Sequence, residues 1–510
     1  MKPASPASPS VEPRGNPRAV CTVWFALFFI SFLLYAATAN RGAQWQDSGY
    51  HILRVVSQEP VNPLGLALSH PLHHWLGRTA VSLNLFEPCF AITLLSGLAA
   101  AIAGANIFGC VQALTRSWTA ALFAALSLAV AHTFWQMATL TETYTLAAAL
   151  LSGECWCLIL YAQTKRPAYL WGMLLLNGLG ISNHLLAVLI TPVLAVVAVI
   201  ALRRRDIRVQ AIAVGAVLWL LGASPYGVMV ASEWMRSGNA WATIESALFG
   251  HGYRDDVLNT TISAGIMIKV LGFVIINFPN LLLPLAAYGM LSASKVNVPT
   301  TARRALLTGL VLHTLFVVRY STVDQHTFFL SAYVLLAIFG GIGFSAWTTS
   351  TSTNKRRARS VIAFAAIAWT PLLYSFLPNL ARHWRVLGSA ERHKPYRDDY
   401  EYLFTPWSIA EKSAERMSRE AVALAGANGV IIVEDRMAEF AVRYQARDIP
   451  SDRLRIIGDV DWRKGGSAVP SKQPVVYVPL NVNKAPEAPE SYSWRRIGDL
   501  YLLHPVPPGS

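Results

Sequence analysis

The chain is organised in long blocks of apolar residues separated by short polar or basic stretches. The first block runs from Cys21 to Ala39, and its length is close to the roughly 20 residues that a helix needs to cross a bilayer. Further spans are predicted at 88–112, 118–136, 142–162, 168–182, 184–202, 209–230, 263–290, 305–319, 327–348 and 360–380. Because a helix satisfies its own backbone hydrogen bonds in lipid, the pattern predicts a polytopic all-α membrane protein with about eleven transmembrane helices.

The regions outside this pattern divide the chain further. Residues 1–19 are rich in Pro and Ser, which predicts a disordered cytoplasmic tail. Residues 20–381 are predicted to form the transmembrane domain, with a first outer loop at 40–87. Within that loop Tyr50, Leu53 and Val56 recur at helical spacing opposite Arg54 and Gln58, and a second such segment covers 71–83. Both are expected to be helices lying on the membrane surface.

From about residue 382 the composition becomes that of a soluble domain. Helices are predicted at 406–425 and 437–445, and short strands at 430–433, 454–457 and 475–478. Gly465-Gly466 beside Lys464 indicates a turn and not a phosphate-binding loop. The region 382–510 is therefore predicted to be a small α/β domain outside the membrane.

Composition and charge support this organisation and set its orientation. The 510 residues are 54% hydrophobic and only 14% charged, with a formal net charge of +14. The basic residues cluster at one side of the predicted spans: Arg116, Lys165-Arg166, Arg203-Arg204-Arg205, Arg303-Arg304 and Lys355-Arg356-Arg357. Positive residues favour the cytoplasmic side, so the pattern predicts topology and no nucleic-acid partner. The expected setting is a bacterial inner membrane, with the N-terminus cytoplasmic and the C-terminal domain extracytoplasmic.

Five cysteines all fall inside predicted spans, which makes a disulfide framework or an extramembrane cysteine metal site improbable. The histidines His70, His73 and His74 lack a matching carboxylate, so interfacial anchoring is favoured over a zinc site.

The stretch Trp45-Gln46-Asp47-Ser48-Gly49-Tyr50 carries the most promising chemistry. It emerges from the first span on the outer face, where Asp47 could meet a sugar carried on a membrane lipid. The alternative is that Asp47 or Ser48 only caps the helix that begins near Gly49. A second acid, Glu142, falls on the same predicted side, where its alternative role is to interact with a helix dipole.

Other polar residues are predicted to reach the same face. They are Asn183-His184 between two spans, and Arg319 and Asp324 around the end of the ninth. Ionisable residues at membrane depth are costly and are therefore functional candidates. Arg319 is the best placed of them to bind a phosphate, because a guanidinium can contact phosphate oxygens bidentately.

Four stretches in order resemble the transmembrane-protein-260-like protein O-mannosyltransferases, a branch of the GT-C membrane glycosyltransferases. They are Asp47-Ser48-Gly49 ("DSG"), Phe134-Trp135 with Glu142-Thr143-Tyr144-Thr145-Leu146 ("FW…EVYTL"), Gly178-Leu179-Gly180 through Asn183-His184-Leu185 to Pro192 ("GLGLGNHL…P"), and Asp324 with Phe328-Phe329 and Tyr333. A weaker likeness continues at 428–434. The family's "HPPG" is degenerate here, as Asn62-Pro63-Leu64-Gly65 or His70-Pro71, and Thr143 replaces its valine.

The resemblance implies transfer of a sugar, mannose in the known family members, from a polyprenyl-phosphate carrier to a Ser or Thr hydroxyl on the outer face. On this reading Asp47 is the base and Glu142 its helper. Arg319 and His184, or a divalent cation, would neutralise the leaving phosphate. Asn183, Asp324, Tyr144 and Trp135 are further site candidates.

Two other classes of protein fit the same pattern of spans. A transporter or flippase of lipid-linked sugars would bind and move its substrate without bond chemistry, but no convincing internal repeat is found. A scaffold whose outer domain binds a partner would leave Asp47 and Glu142 unexplained.

Overall fold

The computed structural model describes residues 17–320, 322, 324–464 and 473–506. Most of the predicted tail at 1–19 lies outside these residues, but 17–19 already belong to the first helix. The predicted turn at Gly465-Gly466 lies outside the described residues as well.

The helices of the membrane domain follow one another through short connections. They are α1 (Pro17–Thr38), α2 (Gln46–Ser57), α3 (Pro71–Ser82), α4 (Pro88–Thr115), α5 (Trp118–Ala129), α6 (His132–Thr139), α7 (Tyr144–Thr164), α8 (Pro167–Asn183), α9 (Thr191–Arg203), α10 (Val209–Ser237), α11 (Ala240–Phe249), α12 (Arg254–Leu258), α13 (Ala264–Asn277), α14 (Leu282–Ser292), α15 (Thr300–Arg319), α16 (Gln325–Phe328), α17 (Leu330–Thr349) and α18 (Thr353–His383). Short 3-10 helices lie at Leu66–Leu68, Leu185–Leu189, Ala293–Val296 and Gly388–Ala390.

The fold confirms the predicted polytopic helical class but lowers the count of spans. Among the described residues, seven helices are long and apolar enough to cross a membrane: α1, α4, α7, α10, α15, α17 and α18. Two bent pairs, α5 with α6 and α13 with α14, raise the number to nine. The predicted eleven also counted α8 and α9, whose 17 and 13 residues rise only about 20–25 Å, less than the roughly 30 Å hydrocarbon core.

Two predicted spans are broken. Residues 263–290 form α13 and α14 at an angle of 100°, and the break contains Pro279, which cannot donate a backbone hydrogen bond. The predicted span 118–136 divides into α5 and α6, bent by 62°. Glycine permits the tight packing of α14 on α17, because a Cβ at Gly343 would lie 1.8 Å from the carbonyl oxygen of Leu285.

The helices alternate between two ends of the bundle. At one end Lys165 Nζ lies 3.5 Å from Asp206 Oδ2, and Gln163 donates to the Ala113 carbonyl, so the basic connections after α4, α7 and α9 lie together. At the other end the chain after α1 donates from Asn40 N to the Thr139 carbonyl at 2.9 Å. This second end also holds the junction of α6 and α7 and the C-terminus of α8, and it is where the candidate site lies.

The first of the two predicted surface helices, α2, is instead enclosed by protein, whereas α3 keeps an exposed face that includes Trp75 and Leu76. Helix α2 packs between α3 and the C-terminal domain, and the predicted polar-face residue Arg54 is only 2% exposed. Its guanidinium donates to the carbonyls of Glu59, Pro60 and Ser69, which fixes the connection from α2 to α3. The charge is tolerated in this buried position because the backbone carbonyls supply hydrogen bonds.

The C-terminal domain is an α/β unit, as predicted, with more strands than its apolar runs indicated. Its elements are α19 (Asp399–Phe404), α20 (Ser413–Ala425), β1 (Val430–Val433), α21 (Arg436–Gln445), β2 (Arg455–Gly458), α22 (Asp459–Lys464), β3 (Val475–Val478), β4 (Tyr492–Ile497) and β5 (Leu500–Pro505). The strand order is β2-β1-β3-β5-β4, with β1 parallel to β2 and β3, and β5 antiparallel to β3 and β4. The sequence did not predict the hairpin β4–β5, in which β4 forms the edge of the sheet and β5 lies between β3 and β4.

The C-terminal domain shares an apolar core with the first loop. Trp45, Ile52 and Val55 belong to the same buried cluster as Met417 and Ile431. The domain is therefore packed against the residues that carry the candidate chemistry.

The two-ended arrangement gives a test of orientation. Cysteines introduced singly at Glu59 and Lys355, both exposed, are expected to react with a membrane-impermeant maleimide from opposite sides, Glu59→Cys from outside. Labelling in intact cells and in inverted vesicles measures this. A Glu59→Cys,Lys355→Cys double variant that labels fully from one side would contradict the topology.

Candidate active site

Helix α2 presents Asp47 in its first turn. The helix begins at Gln46 after Trp45, whose side chain makes no cap, so neither Asp47 nor Ser48 is the N-cap considered above. Gly49 is required here, because a Cβ at this position would lie 2.2 Å from the Gln44 carbonyl oxygen. The glycine of the Asp47-Ser48-Gly49 motif thus allows the chain to fold back tightly and aim the carboxyl group outward.

Trp45 anchors this turn to the C-terminal domain. Its indole Nε1 donates to Ser413 Oγ at 2.7 Å, and its ring is contacted by the cations of Lys394 and Arg397 at 5.2 and 5.6 Å from the centroid. Only 2% of Trp45 is exposed. Cation–π contacts stabilise the position of the buried Trp45 ring. Asp47 follows Trp45 by two residues, so its backbone is held in place as well.

Glu142 lies beside the same turn. Ser48 Oγ donates to Glu142 Oε1 at 2.7 Å, and Gln44 Oε1 accepts from Thr141 N at 2.9 Å. Glu142 N in turn donates to Ser96 Oγ of α4 at 3.0 Å. The structure therefore brings the Asp47 and Glu142 loops together through direct hydrogen bonds.

The two carboxyl groups differ in accessibility. The side chain of Asp47 is accessible to water although protein surrounds it on most sides, whereas Glu142 is buried. The surrounding protein raises the pKa of Asp47 to about 6, and the negative charge of Asp324 adds to the rise. Burial raises the pKa of Glu142 to about 8, Asp47 raises it further, and the hydrogen bond from Ser48 opposes the shift. At neutral pH Asp47 is mainly ionised and Glu142 mainly protonated.

Asp324 and Tyr144 form the neighbouring wall. The Tyr144 hydroxyl points to Asp324 Oδ2 at 3.4 Å, and its ring lies 5.2 Å from both Phe328 and His184. Burial raises the pKa of Asp324, while Tyr144 and the positive charge of Lys269 oppose the rise. Three carboxyl groups, those of Asp47, Glu142 and Asp324, thus lie within electrostatic range of one another.

Asn183 and His184 lie at the same end but hold different roles. Asn183 is fully buried, donates to the Thr143 carbonyl at 3.0 Å, and its own carbonyl contacts His70 Nδ1 at 2.7 Å. His184 Nδ1 accepts from Leu186 N at 3.2 Å, which leaves the proton on Nε2. Burial lowers the pKa of His184 well below its ordinary value, so this ring is neutral and can offer a phosphate a hydrogen bond but no charge.

The histidines of the first loop form a buried cluster. His70, His73 and His74 are each 8% exposed or less, which contradicts the prediction that they anchor the loop at the interface. His51, which the sequence reading missed, lies 5.5 and 5.3 Å from His70 and His73 between ring centroids. Burial lowers the pKa of His70 to about 4 and of His73 to about 3, so the rings are neutral.

Two candidate residues contact other parts of the chain. Arg319 donates to the carbonyls of Asn259 and Val257, and Asn259 Nδ2 donates back to the Arg319 carbonyl at 3.0 Å. Trp135 donates from Nε1 to Thr38 Oγ1 at 3.0 Å and packs 5.5 Å from Trp407. Arg319 therefore ties down the segment after α12, and Trp135 joins α6 to α1 and to the connection before α20.

Two cations that the sequence did not single out, Lys269 and Arg436, act electrostatically on residues of the candidate site. Lys269 of α13 is exposed and acts on Asp324, and Arg436 of α21 acts on Tyr50 and Tyr253. A single lysine inside an apolar run was a signal for Lys269. Nothing in the sequence linked Arg436 to the first loop, because their contact depends on how the C-terminal domain docks.

A metal site is not evident from the side chains. Among the described residues, no three His, Cys, Asp or Glu side chains are arranged to hold a metal ion.

The fold and the site define a class of protein: a multi-pass membrane protein with the architecture of the GT-C glycosyltransferases. Residues 67–228 match the family model "Dolichyl-phosphate-mannose-protein mannosyltransferase". No curated protein sequence matches the chain.

The fold of the chain is similar to those of several solved membrane-protein structures. The chain is similar to ArnT from Cupriavidus metallidurans bound to undecaprenyl phosphate, with a TM-score of 0.58 and 14% identity, over 96% of this chain and 98% of that one. The apo state of the same protein aligns with a TM-score of 0.58 and 17% identity, over 95% and 98%. The Archaeoglobus fulgidus oligosaccharyltransferase aligns less well, with a TM-score of 0.49 and 14% identity, over 84% and 62%. The likeness to ArnT shows the fold of the chain, and the family model matches residues 67–228 of it.

The raised pKa of Glu142 predicts how stability depends on pH. The folded state keeps a proton that the unfolded state releases above about pH 4.5, so stability falls as pH rises toward about 8. Glu142→Gln removes this loss. Relative to the variant, the wild type should lose about 2–4 °C in Tm between pH 5 and pH 8 in detergent.

The exposed acid Glu59 provides the matched control. Intrinsic tryptophan fluorescence during heating measures both variants. Parallel Tm profiles of the wild type and Glu142→Gln would contradict burial of a protonated Glu142, whereas Glu59→Gln should follow the wild type at every pH.

Proposed function

We propose that this protein is an integral-membrane glycosyltransferase that moves a hexose, with mannose the first candidate, from a polyprenyl-phosphate carrier to a Ser or Thr hydroxyl of a protein on the extracytoplasmic face. The observation that carries the proposal is the pairing of the accessible Asp47 with the buried Glu142 at the end of the helical bundle, where Ser48 Oγ donates to Glu142 Oε1. The family model over 67–228 and the ligand of the ArnT-like structure support the choice of donor.

Asp47 acts as the general base. Its carboxylate accepts the proton of the acceptor hydroxyl while that oxygen attacks the anomeric carbon and forms the new C–O bond. The bond between the anomeric carbon and the phosphate oxygen breaks, and the polyprenyl phosphate leaves with the electron pair. The negative charge of Asp47 also stabilises the oxocarbenium-like character of the anomeric carbon.

Glu142 sets the position and the charge of the base. As a neutral acid, Glu142 adds no negative charge beside Asp47, and its hydrogen bond from Ser48 fixes the turn that carries Asp47. Two like charges in this recess would oppose each other, so environment separates the roles of the two carboxyl groups.

The leaving phosphate needs positive charge and hydrogen-bond donors. We assign these to Lys269, which is exposed and acts on Asp324, and to the Nε2–H of His184. The guanidinium of Arg319 is engaged by the carbonyls of Asn259 and Val257. The bilayer next to α13 and α15 accommodates the polyprenyl chain.

Replacement of the base tests the reaction directly. Asp47→Asn should lower the rate of sugar transfer by about 10²–10⁴-fold, because an amide cannot accept the proton. Purified protein is incubated with a radiolabelled polyprenyl-phosphate mannose and Ser/Thr-containing acceptor proteins. Asp206→Asn, at the opposite end of the bundle, is the matched control. Transfer by Asp47→Asn at the wild-type rate would remove Asp47 from its role.

The pKa of Asp47 predicts the acid limb of the rate profile. The base must be ionised, so kcat/KM should rise with pH and level off above about pH 6, not near pH 4 as for an ordinary aspartate. Asp324→Asn removes a neighbouring negative charge and should move this limb to lower pH. A limb that stays in place in Asp324→Asn would contradict the coupling of the two acids.

A further inference from the structure

The C-terminal domain carries an exposed arginine, Arg436, on the helix that packs against α2. Arg436, in the first turn of α21, is exposed, and its guanidinium makes no hydrogen bond or ion pair with the part of the chain that the structure describes. The preceding Asp435 is held by Lys394 and caps α21 through Met437 N at 3.0 Å. Lys394 also contacts the ring of Trp45, so the start of α21 is fixed relative to α2.

Direct packing brings α21, which carries Arg436, against α2, which carries Asp47. The rings of Phe440 and Tyr50 stack with centroids 4.4 Å apart, and the Phe440 Cβ lies 3.6 Å from the position of a Cβ on Gly49. Arg436 is one turn before Phe440 in α21, and Asp47 is one turn before Tyr50 in α2. Residues at these spacings share a helix face, so Arg436 lies on the face of α21 that meets α2, and both Arg436 and Asp47 act electrostatically on Tyr50.

Tyr50 and Tyr253 each respond to the charges of both Asp47 and Arg436. Burial raises the pKa of Tyr50, with Arg54 and Arg436 opposing the rise and Asp47 adding to it. Burial also raises the pKa of Tyr253, with Asp47 and Asp324 adding to the rise and Arg436 opposing it. Both phenols therefore sense the carboxyl groups and the guanidinium at once.

The Tyr50 hydroxyl is a second sign of a ligand in this space. Tyr50 is 8% exposed, and among the described residues its hydroxyl has no hydrogen-bond partner. An unpaired buried hydroxyl is costly unless a ligand supplies a partner. A carboxylate accepts hydrogen bonds from both a phenol and a guanidinium.

We propose, resting on the function proposed above, that Arg436 and Tyr50 select acidic peptide acceptors, in which the reacting Ser or Thr has an Asp or Glu as its neighbour. The acidic side chain binds Arg436 and the Tyr50 hydroxyl, and this contact directs the adjacent hydroxyl to Asp47. Arg436 is thus a specificity-determining residue contributed by the C-terminal domain. The membrane domain supplies the base, and the C-terminal domain recognises the acceptor.

Matched peptides test the proposal. Two synthetic peptides with a single Thr differ only in a neighbouring Glu or Gln, and transfer from polyprenyl-phosphate mannose is measured for each with the full-length protein. The wild type should use the Glu peptide with a KM about tenfold lower, which corresponds to one charge-assisted hydrogen bond. Arg436→Gln should remove this difference by raising KM for the Glu peptide alone, with kcat little changed.

Further variants separate recognition from damage to the fold. Arg436→Lys keeps the charge and should keep most of the preference, while Arg436→Glu should favour a peptide with Lys beside the Thr. Arg455→Gln, an exposed arginine of β2, should leave the preference and the activity unchanged.

The outcomes distinguish this proposal from the reaction itself. Equal KM values of the wild type for the Glu and Gln peptides would overturn the selection of acidic acceptors while leaving protein glycosylation intact. Preference for Glu that survives Arg436→Gln would overturn the role of Arg436. Transfer to neither peptide, together with transfer to a non-peptide hydroxyl, would overturn both the acidic peptide and the protein acceptor.

Discussion

The site depends on the tight junction between the turn at Asp47 and the loop at Glu142. The Ser48–Glu142 hydrogen bond and the Gln44–Thr141 bond join two segments that are far apart in the chain. Burying one carboxyl group beside another costs free energy unless one of them is neutral. The structure meets this condition by enclosing Glu142 while leaving Asp47 accessible. Proximity and unequal burial together give two acids of the same chemistry two different protonation states.

This junction is held from both sides. From the membrane domain, α4 contributes Ser96 and Thr93, which hydrogen-bond the loop at Glu142 and the side chain of Gln44. From the C-terminal domain, Ser413, Lys394 and Arg397 hold Trp45. A base must be positioned within a fraction of an ångström to act well, and a loop at a membrane surface would be mobile without such support. The shared apolar core of α2 and the C-terminal sheet is the physical reason that the domain is close to the chemistry.

Hydrophobic patterning predicted the class of the fold, because spans of lipid-facing residues depend only on local sequence. It also located the strands at 430–433 and 475–478, whose four residues are all buried. It failed for α2, where the spacing of Tyr50, Leu53 and Val56 indicated a surface helix. Tertiary packing against two domains buries Arg54 and His51 on the other side of α2, and local periodicity carries no information about that second neighbour. The edge strand β4 was missed because its polar and charged residues, Ser493, Arg495 and Arg496, face solvent and interrupt the apolar pattern, and β5 was missed with it.

The candidate site was predictable to the extent that acids at helix ends are unusual in an apolar chain. Asp47, Glu142 and Asp324 stood out for this reason, and the structure places them around one region. The cations did not stand out, since an arginine or lysine is common near a membrane surface. Arg319, the best sequence candidate, is engaged by backbone carbonyls, and His184 is neutral because it is buried. The cations that act electrostatically on residues of the site are Lys269, from the membrane domain, and Arg436, from the C-terminal domain.

The two cations belong to the two parts of the molecule that the proposed donor and the proposed acceptor would approach. Lys269 belongs to a helix of a bent pair in the membrane domain, next to lipid, where a carrier phosphate would arrive. Arg436 belongs to the C-terminal domain, which borders water, where a protein acceptor would arrive. The pKa of Asp47 responds to burial and to the negative charge of Asp324, and Lys269 in turn favours the ionised form of Asp324.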